Sequence, residues 1–182
     1  MYEVEIKLRA DHATVRNRLA DLDGDPLGTV EQVDTYFDAP HRDFGETDEA
    51  LRLREERDDE GTLTELTYKG PLVDAESKTR EELESEVADH ERVQAIFESL
   101  GFEPAATVEK ERTRFRVDEF TVTLDSVATV GEFVEVETGC EHEADVPTER
   151  EAAKDLLRSL DLDPEDGIRT SYLGMILAEQ DT

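Results

Sequence analysis

From Tyr2 to Arg9 every second residue is apolar. Tyr2, Val4, Ile6 and Leu8 share one side, and Glu3, Glu5, Lys7 and Arg9 share the other. That period of two predicts a β-strand. The period then lengthens: behind Asp11, a helix N-cap, Val15, Leu19 and Leu22 form one helical stripe. "DLDGDPLG" (21–28) reads as a loop, 30–38 as a strand and 39–49 as a connection. Residues 50–55 alternate again, with Leu51 and Leu53 against Arg52 and Arg54, and 62–70 forms a further strand. The stretch 78–87 puts Arg80, Glu82, Glu84 and Glu86 on one strand face; its helix propensity competes, but its neighbours favour a strand.

Asp89 caps a helix carrying Val93, Ile96, Phe97 and Leu100, and Gly101 stops it. The run 107–117 alternates Lys110, Arg112, Arg114 and Arg116 with Glu109, Glu111, Thr113 and Phe115. Residues 120–127 and 131–138 form a hairpin around "ATVG", and helices follow at 148–160 and 169–179. Eight strands in hairpin order, with two helices early and two late, predict an α+β fold with an antiparallel sheet. No linker divides the chain, so residues 1–182 are read as one domain.

Composition narrows the classes. There are 49 acidic residues against 20 basic, a net charge of −29, and no basic footprint for nucleic acid. The periodic apolar segments argue against disorder. One Cys excludes a disulfide framework and fits a reducing cytoplasm. No signal peptide and no membrane span are expected. An acidic, Lys-poor chain (15 Arg, 5 Lys) resembles proteins of salt-loving organisms, whose high-salt cytoplasm screens like charge. The four His residues are scattered and read as surface residues.

Charge placement is the informative departure. A charged strand face ordinarily meets solvent. Here half of the twenty basic residues fall on predicted strands, in a chain otherwise avoiding positive charge. If the strands close into an eight-stranded barrel, the apolar faces pack outward against helices and the charged faces line a wet tunnel. So many cations inside require an anion and opposing carboxylates. A triphosphate fits, since Arg and Lys both bind phosphate well. Glu3 and Glu5 point one way, as do Glu135 and Glu137, with Asp125 on the neighbouring strand; such all-oxygen clusters suit Mg²⁺ or Mn²⁺.

Glu3-Val4-Glu5-Ile6-Lys7 resembles the ExExK signature of the CYTH superfamily, the triphosphate tunnel enzymes. "QVDTYFD", "LRLR", "TYKGP", "REELE", "EKERTRF", "TLDSV…GEFVEVE" and "SYLGMIL" resemble its further blocks in order. "QVDTYFD" and "GEFVEVE" are most similar to the class IV adenylyl cyclase branch. The resemblance implies a closed antiparallel barrel, Mg²⁺ or Mn²⁺, and a homodimer, as is common in that family. It implies metal at Glu3, Glu5, Glu135 and Glu137 with Asp125 assisting, and phosphate at Lys7, Arg52, Arg54, Lys69, Lys110, Arg112 and Arg114. Arg9 is expected at the tunnel rim, Arg116 beyond it, and Arg80 beside the neighbouring acids. Glu82 and Glu84 are open between metal-side acids and Arg partners.

Two reactions remain open, and a third class beside them. A cyclase would attack the α-phosphate of ATP with the ribose 3′-hydroxyl and release pyrophosphate. A triphosphatase would attack the terminal phosphate of inorganic triphosphate, thiamine triphosphate or a nucleotide with water. Tyr36 and Lys69 resemble a pair that activates water in family hydrolases; the alternative is that Lys69 binds phosphate and Tyr36 packs. A non-catalytic polyphosphate-binding module is the third.

Overall fold

The computed structural model describes residues 1–180. Its eight strands are β1 (Tyr2–Arg9), β2 (Asp25–Asp38), β3 (Ala50–Arg57), β4 (Thr62–Lys69), β5 (Arg80–Val87), β6 (Glu103–Val117), β7 (Phe120–Val127) and β8 (Gly131–Cys140). They close into a barrel in the order β1-β5-β4-β3-β2-β6-β7-β8, with every neighbouring pair antiparallel. The expected eight-stranded closed barrel is therefore what the chain forms. Closure removes every sheet edge and divides the strand faces into an outside and an inside.

Five helices accompany the barrel: α1 (His12–Asp21), α2 (Phe44–Thr47), α3 (His90–Ser99), α4 (Val146–Ser159) and α5 (Tyr172–Gln180). Asp11 caps α1 by accepting from the Thr14 amide, and Asp89 caps α3 by accepting from that of Arg92. Gly101 ends α3 at φ +89, the left-handed conformation glycine tolerates best. The main core lies outside the barrel. Ile6, Leu8, Val122, Leu124, Val134 and Val136 pack there against Val15 and Leu19 of α1 and Ala153 and Leu157 of α4.

Several boundaries differ from the sequence reading, most by one or two residues; β5, for example, begins at Arg80 and not at residue 78. β2 begins at Asp25, not residue 30, because "DPLG" pairs with Arg114–Arg116 through an irregularity at Pro26–Gly28, where Gly28 has φ +108. β6 correspondingly begins at Glu103. Helix α2 lies in the expected connection, capped by Asp43. α5 starts at Tyr172, not 169. The stripe on α3 packs shallowly: Phe97 meets Phe37 edge-on at 5.3 Å, while Ile96 and Leu100 stay exposed.

The β1–β5 seam is short, with two residue pairs, Tyr2↔Glu81 and Glu3↔Arg80. The connection 70–79 extends it: the Lys78 amide donates to the Glu5 carbonyl at 3.0 Å. Two clamps hold this connection from outside. Arg150 of α4 donates to Asp74 at 2.6 Å and Lys154 to Glu76 at 2.6 Å.

Candidate active site

Alternation along closed strands sends the charged rows inward. Opposite charges then meet across hydrogen-bonded neighbours. Arg54 forks onto Asp34 (Nε–Oδ1 2.6 Å, Nη2–Oδ2 2.7 Å), and Arg112 forks onto Asp125 (2.7 and 2.6 Å) while reaching Glu135 at 2.5 Å. Both forks match register partners, Asp34↔Arg54 and Arg112↔Asp125. Lys69 donates to Glu82 at 2.5 Å, Lys78 to Glu5 at 2.9 Å, and Arg114 to Glu56 at 2.6 Å. Arg52 reaches Thr67 at 2.7 Å and Glu65 at 3.2 Å.

These side chains enclose a cavity of about 280 Å³. Glu3, Glu5, Tyr36, Arg52, Arg54, Lys69, Lys110, Arg112, Arg114, Glu135 and Glu137 all line it. Lys7 and Asp125 stand behind the wall. The Lys7 ammonium lies 4.1 Å from the centre of the Tyr172 ring, and both Asp125 oxygens are engaged by Arg112. Glu82, Glu84 and Arg80 also line the cavity. Arg80, expected beside acids, donates to the carbonyls of Asp48 (2.8 Å) and Gly70 (3.1 Å) and lies 3.6 Å from the Asp48 carboxylate. Arg9 lies over the Phe133 ring at 4.6 Å and bonds the Val130 carbonyl. Arg116 borders a second cavity of about 290 Å³. His12, read as a surface residue, is instead largely covered and bonds the Phe133 carbonyl at 3.0 Å, because α1 packs its first turn against β8.

The interior has two electrostatic poles. Burial pushes the Glu3 carboxyl up to about 8; Lys69 opposes the shift, while Glu82, Glu137 and Glu5 add to it. Burial raises Glu137 too, against Arg112 and with Glu135 and Glu5. Neither Glu3 nor Glu137 accepts a side-chain hydrogen bond from the described residues. At the other pole, burial pulls Lys7 down to about 8, with Lys78 and Lys110 adding to it against Glu5 and Glu135. Lys110 falls to about 8 through burial and Arg112. Burial alone would raise Asp34, but Arg54, Arg52 and Lys110 hold it well below the carboxylate range. Short of cations at one pole and of anions at the other, the cavity suits a bound metal–polyphosphate.

A profile of the CYTH domain matches residues 1–172. The chain belongs to the CYTH family. It is similar to a Methanocaldococcus jannaschii protein whose name assigns it provisionally as an adenylate cyclase, 36% identical over 95% of this chain and 97% of that one. The adenylate cyclase CyaB of Aeromonas hydrophila is 26% identical over 88% and 81%. Among solved structures, a Pyrococcus horikoshii protein superposes with a TM-score of 0.91 at 34% identity, covering 97% of this chain and 99% of that one.

In this CYTH chain several lining residues escape the sequence reading, Lys78, Tyr172 and Glu65 among them. Lys78 precedes its strand, and only the bond of its amide to Glu5 turns it inward. Its rarity was the available signal, as one of five lysines. Tyr172 sits in a helix whose stripe says nothing of where it docks. Glu65 was passed over within a strand that was correctly placed. Asp34, behind the wall, was legible as the inward alternate between Gln32 and Tyr36.

Among the described residues no three His, Cys, Asp or Glu side chains are gathered at metal-binding spacing. The cause is visible in the pairing: Glu5 is turned to Lys78 and Glu135 to Arg112. The donor set nevertheless fits a hard divalent cation. It is all oxygen, and Glu3 and Glu137 are the mutually repelling members a cation would relieve.

Proposed function

We propose that this CYTH protein is a metal-dependent enzyme that processes a triphosphate in the manner of an adenylate cyclase, converting ATP to cyclic AMP and pyrophosphate. The observation that carries the reading is one cavity lined both by the acids Glu3 and Glu137 and by the cations Arg52, Arg54 and Lys110, with Lys7 behind its wall. The names of the two relatives support the cyclase chemistry over other uses of the same grip. Divalent-metal dependence is general among CYTH enzymes.

Phosphoryl transfer asks a protein mainly for positioning and charge neutralisation. Arg52, Arg54, Lys69, Lys110, Arg112 and Arg114 bind and orient the polyphosphate, with Lys7 behind them. Arg112 is set in place by Asp125 and Arg54 by Asp34, so each guanidinium presents its remaining N–H groups in a fixed direction. Glu3, Glu5, Glu135 and Glu137 would hold Mg²⁺ or Mn²⁺, which would supply charge neutralisation for the polyphosphate and lower the pKa of the attacking hydroxyl. Lys69 donates to Glu82 and serves as a phosphate contact; to act as the base with Tyr36 it would first have to leave that carboxylate.

A second reading, hydrolysis of a terminal phosphate, uses the same grip with water as nucleophile. Incubating the protein with Mn²⁺ in high salt and either ATP or inorganic triphosphate separates the two. Cyclic AMP with pyrophosphate supports the cyclase; orthophosphate from either substrate supports the hydrolase; tight binding without product refutes both. Glu137→Gln tests the metal assignment. Because Glu137 accepts no side-chain hydrogen bond, the variant should melt no lower than the parent. Its turnover should fall by about a hundred-fold or more. Turnover near the parent's would remove Glu137 from the metal site.

A further inference from the structure

Glu5 faces Glu137 directly across the β1–β8 pairing, so two carboxylates meet where like charges destabilise a sheet. What offsets Glu5 is Lys78, whose ammonium donates to its Oε1 at 2.9 Å. Both side chains are largely enclosed, with Lys78 13% and Glu5 9% exposed. Among the described residues neither makes another side-chain hydrogen bond. Lys78 belongs to the connection before β5, so the alternation that places the other cavity cations does not place it.

The two paired carboxylates of the oxygen donor set are held differently. Arg112, on Glu135, is also locked onto Asp125 through Nε and Nη2, so it cannot leave without breaking a buried fork. Lys78 has no such second anchor. A lysine is a compact charge on a flexible four-carbon stem, and it gives up a carboxylate more readily than a fork does. Its backbone, in contrast, is fixed. The Lys78 amide donates to the Glu5 carbonyl at 3.0 Å, and Asp74 organises the preceding turn by accepting from Ser77. Only the side chain has to move, and Lys78 and Glu5 line the same cavity as Arg52, Arg54 and Lys110. A divalent cation offers oxygen two charges and several coordination positions, against one charge and a single contact from the ammonium.

We infer that Lys78 is an exchangeable counter-ion: its ammonium competes with Mg²⁺ or Mn²⁺ for the Glu5 carboxylate and, once displaced, turns within the cavity to a polyphosphate oxygen. The inference rests on the metal assignment of Glu5 made above and deepens it. Metal and polyphosphate then bind cooperatively, since a cation seated at Glu5 releases a phosphate contact.

Calorimetric titration with Mn²⁺, without triphosphate, tests the exchange. Lys78→Met keeps most of the stem and removes the competing charge. The variant should bind Mn²⁺ about ten-fold more tightly than the parent or better, because a hydrogen bond between charged groups no longer has to be given up. A lysine that merely braced the connection would do the reverse, its loss loosening the acids and weakening Mn²⁺. Affinity in Lys78→Met equal to or below the parent's therefore overturns the exchange while leaving a metal site intact. No binding of Mn²⁺ by the parent overturns the exchange and the metal assignment together. Should the variant fail to fold, acetylation of the parent by acetic anhydride, read by mass spectrometry, decides. Mn²⁺ must raise the reactivity of Lys78 several-fold, and inorganic triphosphate added to the Mn²⁺-loaded protein must lower it again. Reactivity unchanged by Mn²⁺ overturns the exchange, and reactivity unchanged by triphosphate overturns the turn toward phosphate.

Discussion

Asp34 shows how much of this interior rests on single carboxylates. It is almost wholly enclosed and accepts both bonds of the Arg54 fork. Removing one partner of a buried pair strands the other, at about 3–5 kcal/mol. Asp34→Asn should therefore lose stability on that scale in urea unfolding at pH 7, and a loss below about 1 kcal/mol would show that Arg54 is compensated elsewhere. The pH dependence has a fixed sign. The folded carboxyl binds its proton more weakly than the unfolded one, whose pKa is near 3.8, so its contribution is complete above that value and is lost as pH falls below it. The difference in stability between parent and variant should stay constant from pH 7 to about 5 and shrink toward pH 3. A difference that widened in acid would contradict the assigned charge state. Arg54→Ala, by the same pairing, reports stability as well as substrate binding, and only a rise in KM at an unchanged melting temperature would isolate the latter.

At the scale of elements, the connection 70–79 carries Lys78 into the cavity. It is held from outside by Arg150 and Lys154 of α4 on Asp74 and Glu76, and by Arg169 on the Asp74 carbonyl. Asp74 also organises the turn, accepting from the amide and hydroxyl of Ser77. Neither α4 cation lines the cavity. Replacing both by Ala should free the connection without touching a phosphate contact. We expect faster hydrogen exchange across residues 73–79 and a several-fold higher KM for triphosphate with a small change in kcat. Unaltered exchange would mean that the short β1–β5 seam and the turn suffice alone. The elements themselves were largely legible from the sequence. Strict alternation fixed strands in β1 and β3, where one face is apolar and the other charged, and in β6, where a basic row alternates with Glu109, Glu111, Thr113 and Phe115; Asp11 and Asp89 announced their helices. What escaped detection depends on contacts between elements. Nothing within residues 70–79 says that α4 will clamp them. The apolar stripe of α5 shows that the helix docks but not that Tyr172 enters the barrel end. The bulge at Pro26–Gly28 lets β2 run on through a stretch that reads locally as a loop.

For the whole molecule, the division of charge is as informative as its sum. Four of the five lysines, Lys7, Lys69, Lys78 and Lys110, belong to the barrel interior, and the fifth, Lys154, is the clamp on Glu76. The excess of acids behind the net charge of −29 therefore faces outward, where like charges repel one another and oppose compaction. Salt screens that repulsion, with a Debye length of about 10 Å at 0.1 M and about 3 Å at 1 M, whereas the enclosed forks of Arg54 and Arg112 are screened far less. Salt should thus stabilise this protein, the reverse of what an interior held by many ion pairs would suggest if those pairs were exposed. Between 0.1 and 2 M KCl the melting temperature should rise by roughly 10 °C, equivalent to about 3 kcal/mol for a chain of this size. Replacing six exposed Glu or Asp residues outside the barrel by Gln or Asn should flatten that rise while leaving triphosphate affinity unchanged. A melting temperature that stayed level or fell with KCl would show that surface repulsion is not what limits the fold, and the acidic surface would then need another explanation.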